Sequence, residues 1–249
     1  MKIITVIQAR LSSSRLPGKV LLPILEKPLL SRMIERVEKS KYIGKVVVAT
    51  STNQEDDKIE ELCKSENITC FRGHLTDLLD RHYQAALKYD ADAVVKIPSD
   101  CPLIDPEIID LVIKYYMEKL KDYDYVSNLH PPTYPDGNDV EIMSIAALRK
   151  AWQESTKYYE REHTTPYFWE NPQKFRIGNV LWSKGVDYST THRWTIDYEE
   201  DYQFIKRVFE ELYPNNQMFG INDILNLVLK NSEVYDINKK HLGKFWFSQ

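Results

Sequence analysis

Apolar residues along this 249-residue chain alternate between two periods. ITVIQA (4–9) is a short, β-branched run of strand character, and Leu29, Leu30, Met33, Ile34 and Val37 then recur at helical spacing. The alternation repeats. KVVVATS (45–51) predicts a second buried strand, followed by DDKIEELCKSE as a helix. TCFRG (69–73) predicts a third strand, and the stretch 76–88 a helix with Leu78, Leu79, Tyr83, Ala86 and Leu87 on its inner face. AVVKIPSD (93–100) predicts a fourth strand. Asp105-Pro106-Glu107 then opens a helix with a capping Asp and Pro at the first helical position. Strand, crossover helix, strand, three times over, is the pattern of a mostly parallel sheet covered on both faces.

Beyond residue 120 the rhythm loosens. DYVSN (124–128) and DVEIMS (139–144) read as strands flanking the turn-rich PPTYPDGN. Helices are predicted at about 145–155 and 158–170, then strands at KFRIGNVLW (174–182) and RWTIDY (193–198). EEDYQFIKRVFEEL (199–212) is a clear helix, and the stretch from INDILNLVLKN onward supplies one more helix and a tail. Repeats, linkers and low-complexity segments are absent. The pattern predicts an α/β three-layer sandwich with a mostly parallel, mixed sheet. It also predicts one domain over 1–249, in which 125–190 is an inserted or expanded portion.

Composition narrows the classes of function. Hydrophobic residues make up 43% and charged residues 28%, which suits a soluble protein with a sizeable core. A net charge of −4 argues against a general surface for nucleic acid or anionic membrane. Cys63, Cys70 and Cys101 are odd in number with no CxxC spacing, and the histidines show no partnered spacing. Free thiols in a reducing compartment are expected, not a disulfide framework or a zinc site. Ile3–Ile7 is too short for a signal-peptide core, and no run approaches transmembrane length, so a cytoplasmic location is expected. Tyr115-Tyr116, Tyr158-Tyr159 and Trp246 sit at helical or terminal positions, where packing in the core or between copies is expected.

One stretch departs from this ordinary picture. LSSSRLPGK (11–19) follows the first strand, and Arg10, Arg15 and Lys19 meet no carboxylate before Glu26. In open parallel sheets ligands bind beyond the carboxyl ends of the strands, which is where this loop and SDCPLID (99–105) both fall. A P-loop is excluded: Val20 follows Gly18-Lys19 where a hydroxyl is required, and Ser13 stands where the early glycine should be. A GxGxxG fingerprint is absent too. What remains is a different anion loop of hydroxyls, backbone amides and three cations, suited to a small polyanion.

IQARLSSSRLPGKVL resembles the signature loop of the sugar cytidylyltransferases, whose pattern is roughly ARxxSxRxPxK. These enzymes include the synthetases that activate octulosonic and nonulosonic acids as CMP-sugars. FRGHLTDLLDR (71–81), KIPSDCPLIDP (96–106), PDGNDVEIMS (135–144), EREHTTPY (160–167) and RWTIDYEEDYQFI (193–205) resemble, in order, blocks of the branch named after the spore coat polysaccharide biosynthesis protein F. The resemblance spans nearly the whole chain. It implies a Rossmann-like fold of the nucleotide-diphospho-sugar transferase type. It also implies Mg²⁺-dependent transfer of CMP from CTP to a sugar acid or related small acceptor, with release of pyrophosphate. A homodimer in contact through 125–190 is expected by the same analogy.

In such a step the enzyme holds the triphosphate in line and neutralises charge on the leaving pyrophosphate. Lys19, Arg15 and Arg10 suit that work, arginine as a fork and lysine as a point charge. By the resemblance, the nucleotide is bound by Ala9, Arg10, Ser14, Arg15, Lys19, Arg72, Asp77 and Asp100. Asp100 and Asp197 each end an apolar stretch, and the resemblance makes them the Mg²⁺ ligands. Asp201 is read as a surface or first-turn charge. The acceptor side falls on 125–190 and its neighbours: Asn128, Asp139, Glu141, Glu162, His163 and Arg193, with His163 either a base or a packed hydrogen-bonder. Two other readings compete. A glycosyltransferase would use Asp90-Ala91-Asp92 as its DxD, but that triplet precedes a strand and so falls on the wrong edge of the sheet. A non-catalytic nucleotide-binding protein would not need Lys19, Arg15, Asp100 and Asp197 together. Nothing in the sequence separates a sugar acid from a phosphate or phosphonate acceptor.

Overall fold

The computed structural model describes residues 1–183 and 185–244; Trp246 lies outside the described residues. The first apolar run becomes β1 (Ile3–Gln8), and a two-residue ladder of β2 (Pro23–Ile24) with β3 (Lys27–Pro28) follows the cationic loop. β4 (Lys45–Ser51), β5 (Cys70–Gly73) and β6 (Ala93–Pro98) complete the first half, and β7 (Tyr125–Ser127), β8 (Glu141–Ser144) and β9 (Ile177–Asn179) the second. Among the described residues seven of these form one sheet in the order β5-β4-β1-β6-β8-β7-β9. β5, β4, β1 and β6 are mutually parallel, β8 runs against both of its neighbours, and β9 is parallel to β7. The mostly parallel, mixed sheet expected from the sequence is the one observed.

The helices are α1 (Leu29–Val37), α2 (Asp57–Ser65), α3 (Leu78–Lys88), α4 (Pro106–Glu118), α5 (Ile145–Glu154), α6 (Tyr158–His163), α7 (Pro166–Trp169), α8 (Glu199–Leu212), α9 (Ile221–Lys230) and α10 (Ser232–Asp236). Strand side chains alternate between the two faces. Ile3 and Ile7 of β1 and Ala93, Val95 and Ile97 of β6 enter one core with α1, α2, α4, α8 and α9. Ile4, Val6 and Val94 enter a second core with α3, α5 and α7. Two helical layers thus sandwich the sheet, and period two sends Lys96 to the α3 side.

Two predicted elements differ. RWTIDY is not a ladder strand; among the described residues it is an extended segment joined by one isolated bridge, between Arg193 and Asp136 of the β7–β8 loop. Its amides instead reach loop carbonyls, Trp194 to Asp136 at 2.6 Å and Ile196 to Asp100 at 2.9 Å. Gly137, at φ +108, makes that approach possible, since a Cβ there would stand 2.7 Å from the Thr195 nitrogen. The helix expected over 158–170 is broken into α6 and α7, because Thr164 takes φ 70 and Pro166 begins a new turn. Cys63, Cys70 and Cys101 are free thiols, as expected. No helix among the described residues is long and apolar enough to cross a membrane.

The α3 layer encloses one titratable group that makes stability depend on pH. His82 is wholly buried, with its Nδ1 2.7 Å from the Leu78 carbonyl. Burial is the main cause that pushes its pKa down to about 3. Between the ordinary histidine value and that depressed one, the unfolded chain binds a proton that the folded chain refuses. Stability is therefore lost as pH falls through this window, by about 2 kcal/mol between pH 7 and pH 5 from this group. His82→Leu is expected to flatten the fall of the unfolding free energy, read by urea titration, between those pH values by that amount; an unchanged slope would refute the assignment.

Candidate active site

The loop after β1 folds back on itself before it reaches α1. The Ser13 and Gly18 amides both donate to the Leu11 carbonyl, at 2.8 and 2.9 Å, and Gly18 supplies the φ of +70 that the turn needs. Asp56, buried at the start of α2, anchors the loop by accepting from the Leu11 amide at 2.8 Å and from the Ser51 hydroxyl. This return carries Lys19 to the carboxyl edge of the sheet. There it is 9% exposed, donates to the Ile196 carbonyl at 2.6 Å and to Asp197 Oδ1 at 3.0 Å, and lies 3.7 Å from Asp100 Oδ2. Arg15 meets the same Asp197 oxygen at 2.9 Å. Residues far apart in sequence thus converge on one ammonium.

Around them lies a cavity of about 260 Å³. Its walls include Ala9, Arg10, Ser14, Arg15, Lys19, Asp100 and Asp197 at the loop end. Asn128, Asp139, Glu141, Glu162, His163 and Arg193 line it as well. Of the residues expected at the site, Arg72 and Asp77 do not line it. Arg72 is turned away to Asp57, Glu60 and the carbonyls of Ser51 and Asn53. Asp77 caps α3 through the Asp80 amide and pairs with Arg161 at 2.6 Å. Both residues are spent on fixing helix starts. Ser13, on which the serine of the loop pattern falls, lines the cavity beside Ser14. Asp90-Ala91-Asp92 precedes β6, and its two carboxylates engage Lys2. That edge is the one opposite the cavity.

Asp201 has a different task from the one expected of it. Asp201 is a first-turn residue of α8 but not a surface charge: it is 0% exposed and accepts from the Asp197 and Tyr198 amides at 3.0 and 3.1 Å. It also accepts from Arg193 and from Asn238. Arg193, expected to meet the acceptor, spends its guanidinium on Asp201, Asp197 and Asp136 and on the Lys244 carbonyl. It is a strut between three aspartates. Burial raises the Asp197 pKa, but Lys19, Arg15 and Arg193 outweigh it and hold the carboxyl below its ordinary value. Asp139 moves the other way, pushed up to about 7 by burial and by the charge of Asp100.

Asn128 is buried and tied to backbone at both ends of its amide, giving to the Asn138 carbonyl and accepting from the Val140 amide. It shapes the loop under the cavity. Arg10 approaches Glu162 at 3.7 Å, and burial lowers the pKa of His163. The residue missed from the sequence is Lys96, which lines the cavity and pairs with Glu141 on the neighbouring strand. A lysine inside the apolar run AVVKIP was the available signal, since burying an ammonium is costly unless a partner waits for it. Lys244 also lines the cavity, brought there by the segment after α10.

Asp100 and Asp197 fit a hard divalent cation: both are oxygen donors, and they flank the point where the loop cations gather. Among the described residues no three metal-ligating side chains converge. Two carboxylates would leave the rest of such a cation's shell to water and phosphate oxygens.

The model of the cytidylyltransferase family matches residues 4–235. The spore coat polysaccharide biosynthesis protein SpsF of Bacillus subtilis is 32% identical over 222 residues, covering 84% of this chain and 87% of that protein. The structure of a cytidylyltransferase from Leptospira borgpetersenii matches with a TM-score of 0.88 at 35% identity, covering 94% of this chain and 97% of that one. A CMP:2-keto-3-deoxy-manno-octonic acid synthetase complexed with CTP shares the fold, with a TM-score of 0.65 at 18% identity over 85% of this chain and 100% of that one.

Proposed function

The chain belongs to the cytidylyltransferase family, and on that premise we propose that this nucleotidyltransferase moves CMP from CTP to a sugar acid or related small acceptor. Pyrophosphate leaves, and the product serves surface polysaccharide or glycoconjugate synthesis. The observation that carries the reading is Lys19, set between Asp100 and Asp197 with Arg15 beside it. An acceptor oxygen attacks the α-phosphorus while the bond to the β-phosphate oxygen breaks. Negative charge grows on the departing pyrophosphate, and Lys19, Arg15 and Arg10 are placed to meet it, with Ser14 and the loop amides as neutral donors. Asp100 and Asp197 are the carboxylates that would hold Mg²⁺, which when bound withdraws charge from the phosphate oxygens. Arg193 and Asp201 keep Asp197 in place. Asp139, Glu141, Glu162 and His163 line the portion of the cavity assigned to the acceptor.

The likeness in fold to a synthetase complexed with CTP supports the choice of nucleotide, and relatives named for octulosonate support the class of acceptor. We further read 1–249 as one catalytic domain that works as a homodimer. Tyr158, Leu181 and Val186, exposed within 125–190, are the side chains a second copy would cover. The test is pyrophosphate release from Mg-nucleotides with a panel of acceptors. Release with CTP and a sugar acid is expected. Turnover of a nucleotide-sugar without pyrophosphate would favour a glycosyltransferase, and no turnover would leave only a binding protein.

A further inference from the structure

We propose that Lys244 is a fourth cation of the triphosphate cradle, binding phosphate oxygens beyond the α-phosphate. The inference rests on the CMP transfer proposed above and extends its binding set by a residue far from the loop. Lys244 lines the cavity from an exposed position, and residues 238–244 hold it there. This segment is tied to the stretch that carries Asp197. The Asn238 amide, 3% exposed, donates to the Arg193 carbonyl at 2.9 Å and to Asp201 Oδ1 at 3.0 Å. The Arg193 guanidinium in turn donates to the Lys244 carbonyl at 3.1 Å. Glu200, in the first turn of α8, accepts from Lys240 at 2.6 Å and lies 3.0 Å from His241 Nε2. The His241 ring stacks on Tyr198, with centroids 4.0 Å apart and planes 5° from parallel. The segment is fastened at both ends to residues 193–201, so Lys244 is positioned together with Asp197.

The side chain is directed as well. With its Nε2–H given to Glu200, His241 presents the Nδ1 lone pair, and the Lys244 ammonium donates to it at 3.3 Å. An imidazole is a neutral partner, so the ammonium keeps its full charge and two further N–H donors. The other cations along the cavity are differently placed. Lys19, Arg15 and Arg193 share Asp197, Lys96 meets Glu141, and Arg10 lies 3.7 Å from Glu162. Arg81 has no carboxylate at ion-pair distance, but it is 1% exposed and donates to the carbonyls of His74 and Leu75. Among the described residues Lys244 is the exposed lining cation without a carboxylate at that distance. Its location selects the ligand. The Lys244 ammonium lies 5.4 Å from the centroid of the Tyr198 ring, and the Arg15 guanidinium 5.7 Å from the same centroid. Lys244 therefore stands at the Arg15 end of the cavity and comes from the layer of α8 and α10, whereas Glu162 and His163 come from α6 beside α3. A chain of phosphates carries several charges and rewards a further point charge at its far end.

The experiment is titration calorimetry of the full chain with Mg-CTP and with CMP, for the unaltered protein and for Lys244→Met. Met keeps the apolar stem and removes the charge. The Kd for Mg-CTP is expected to rise about tenfold, the worth of one charge-assisted hydrogen bond at an exposed site. The Kd for CMP, which lacks the β- and γ-phosphates, is expected to stay within about twofold. Lys244→Arg is expected to bring Mg-CTP binding back to within about threefold, because an exposed position leaves room for the fork. In pyrophosphate release at saturating CTP, KM for the acceptor is expected to stay within about twofold in Lys244→Met. An unchanged Kd for Mg-CTP in that variant, equal weakening of CTP and CMP, or a rise confined to the acceptor's KM overturns the assignment and leaves nucleotidyl transfer standing. Pyrophosphate release with no acceptor at all, while the unaltered chain still binds CTP, overturns the transfer reading itself only if the full acceptor panel also yields none above that background.

Discussion

Lys19→Ala is expected to lower kcat about 10³-fold while the protein stays folded. The ammonium is buried, 3.0 Å from Asp197 and 3.7 Å from Asp100, at the place where the loop cations face the carboxylates. Its removal takes one preorganised donor from the leaving pyrophosphate, a loss commonly worth about 3–4 kcal/mol of barrier. It also leaves two carboxylates close together without the cation they share. Asp197 keeps Arg15 and Arg193, so the cost in folding stability is expected to stop at about 1–2 kcal/mol. Lys19→Arg is not a rescue, because a planar fork cannot occupy the pocket of a compact ammonium that also donates to the Ile196 carbonyl. Single-turnover pyrophosphate release, with a urea midpoint on the same preparation, checks both halves. Near-normal turnover in Lys19→Ala would refute the cradle.

The two aspartates are expected to respond differently to the loss of their charge. Asp100 keeps about a third of its side chain exposed (34%), with Lys19 as its one ion-pair partner among the described residues. Asp100→Asn is nearly isosteric and removes a charge the fold does not use. Activity is expected to drop by about 10²–10³-fold, with a higher Mg²⁺ requirement and an unchanged urea midpoint. Asp197 is a structural keystone as well, since Lys19, Arg15 and Arg193 all point at it. Asp197→Asn is therefore expected to lose activity and also about 2 kcal/mol of stability, because the buried Lys19 and Arg193 each lose one of the anions they share. Equal stability losses in the two variants would show that this division of tasks is wrong.

Much of the fold was legible along the chain because its first half obeys local rules. KVVVATS became β4 with unchanged bounds, and the capping Asp105 with Pro106 began α4 as their chemistry requires. RWTIDY misled because its apolar residues are buried by crossing the β7–β8 loop, and burial alone carries no information about ladder pairing. The cationic loop could be read as an anion site from its charges and its place after a strand. Arg72 and Asp77 could not be sorted in the same way. A charged residue near a helix start can serve the helix or a ligand, and only the position of Asp57, Glu60 and Arg161 shows which.

The sequence by itself determined the sheet's parallel half, the anion loop on its carboxyl edge, and a resemblance strong enough to suggest the chemistry. These depend on periodicity, turn residues and short motifs, whose physics acts within a few residues. Tertiary structure alone decided how charges are shared. It gave Lys19 to two aspartates, made Arg193 a strut, buried Asp201 beneath it, and set Lys96 against Glu141. Coulombic and hydrogen-bonding partners are chosen by distance in space, and residues 19 and 197 become neighbours only when the strands have paired and Gly137 lets the later segment cross.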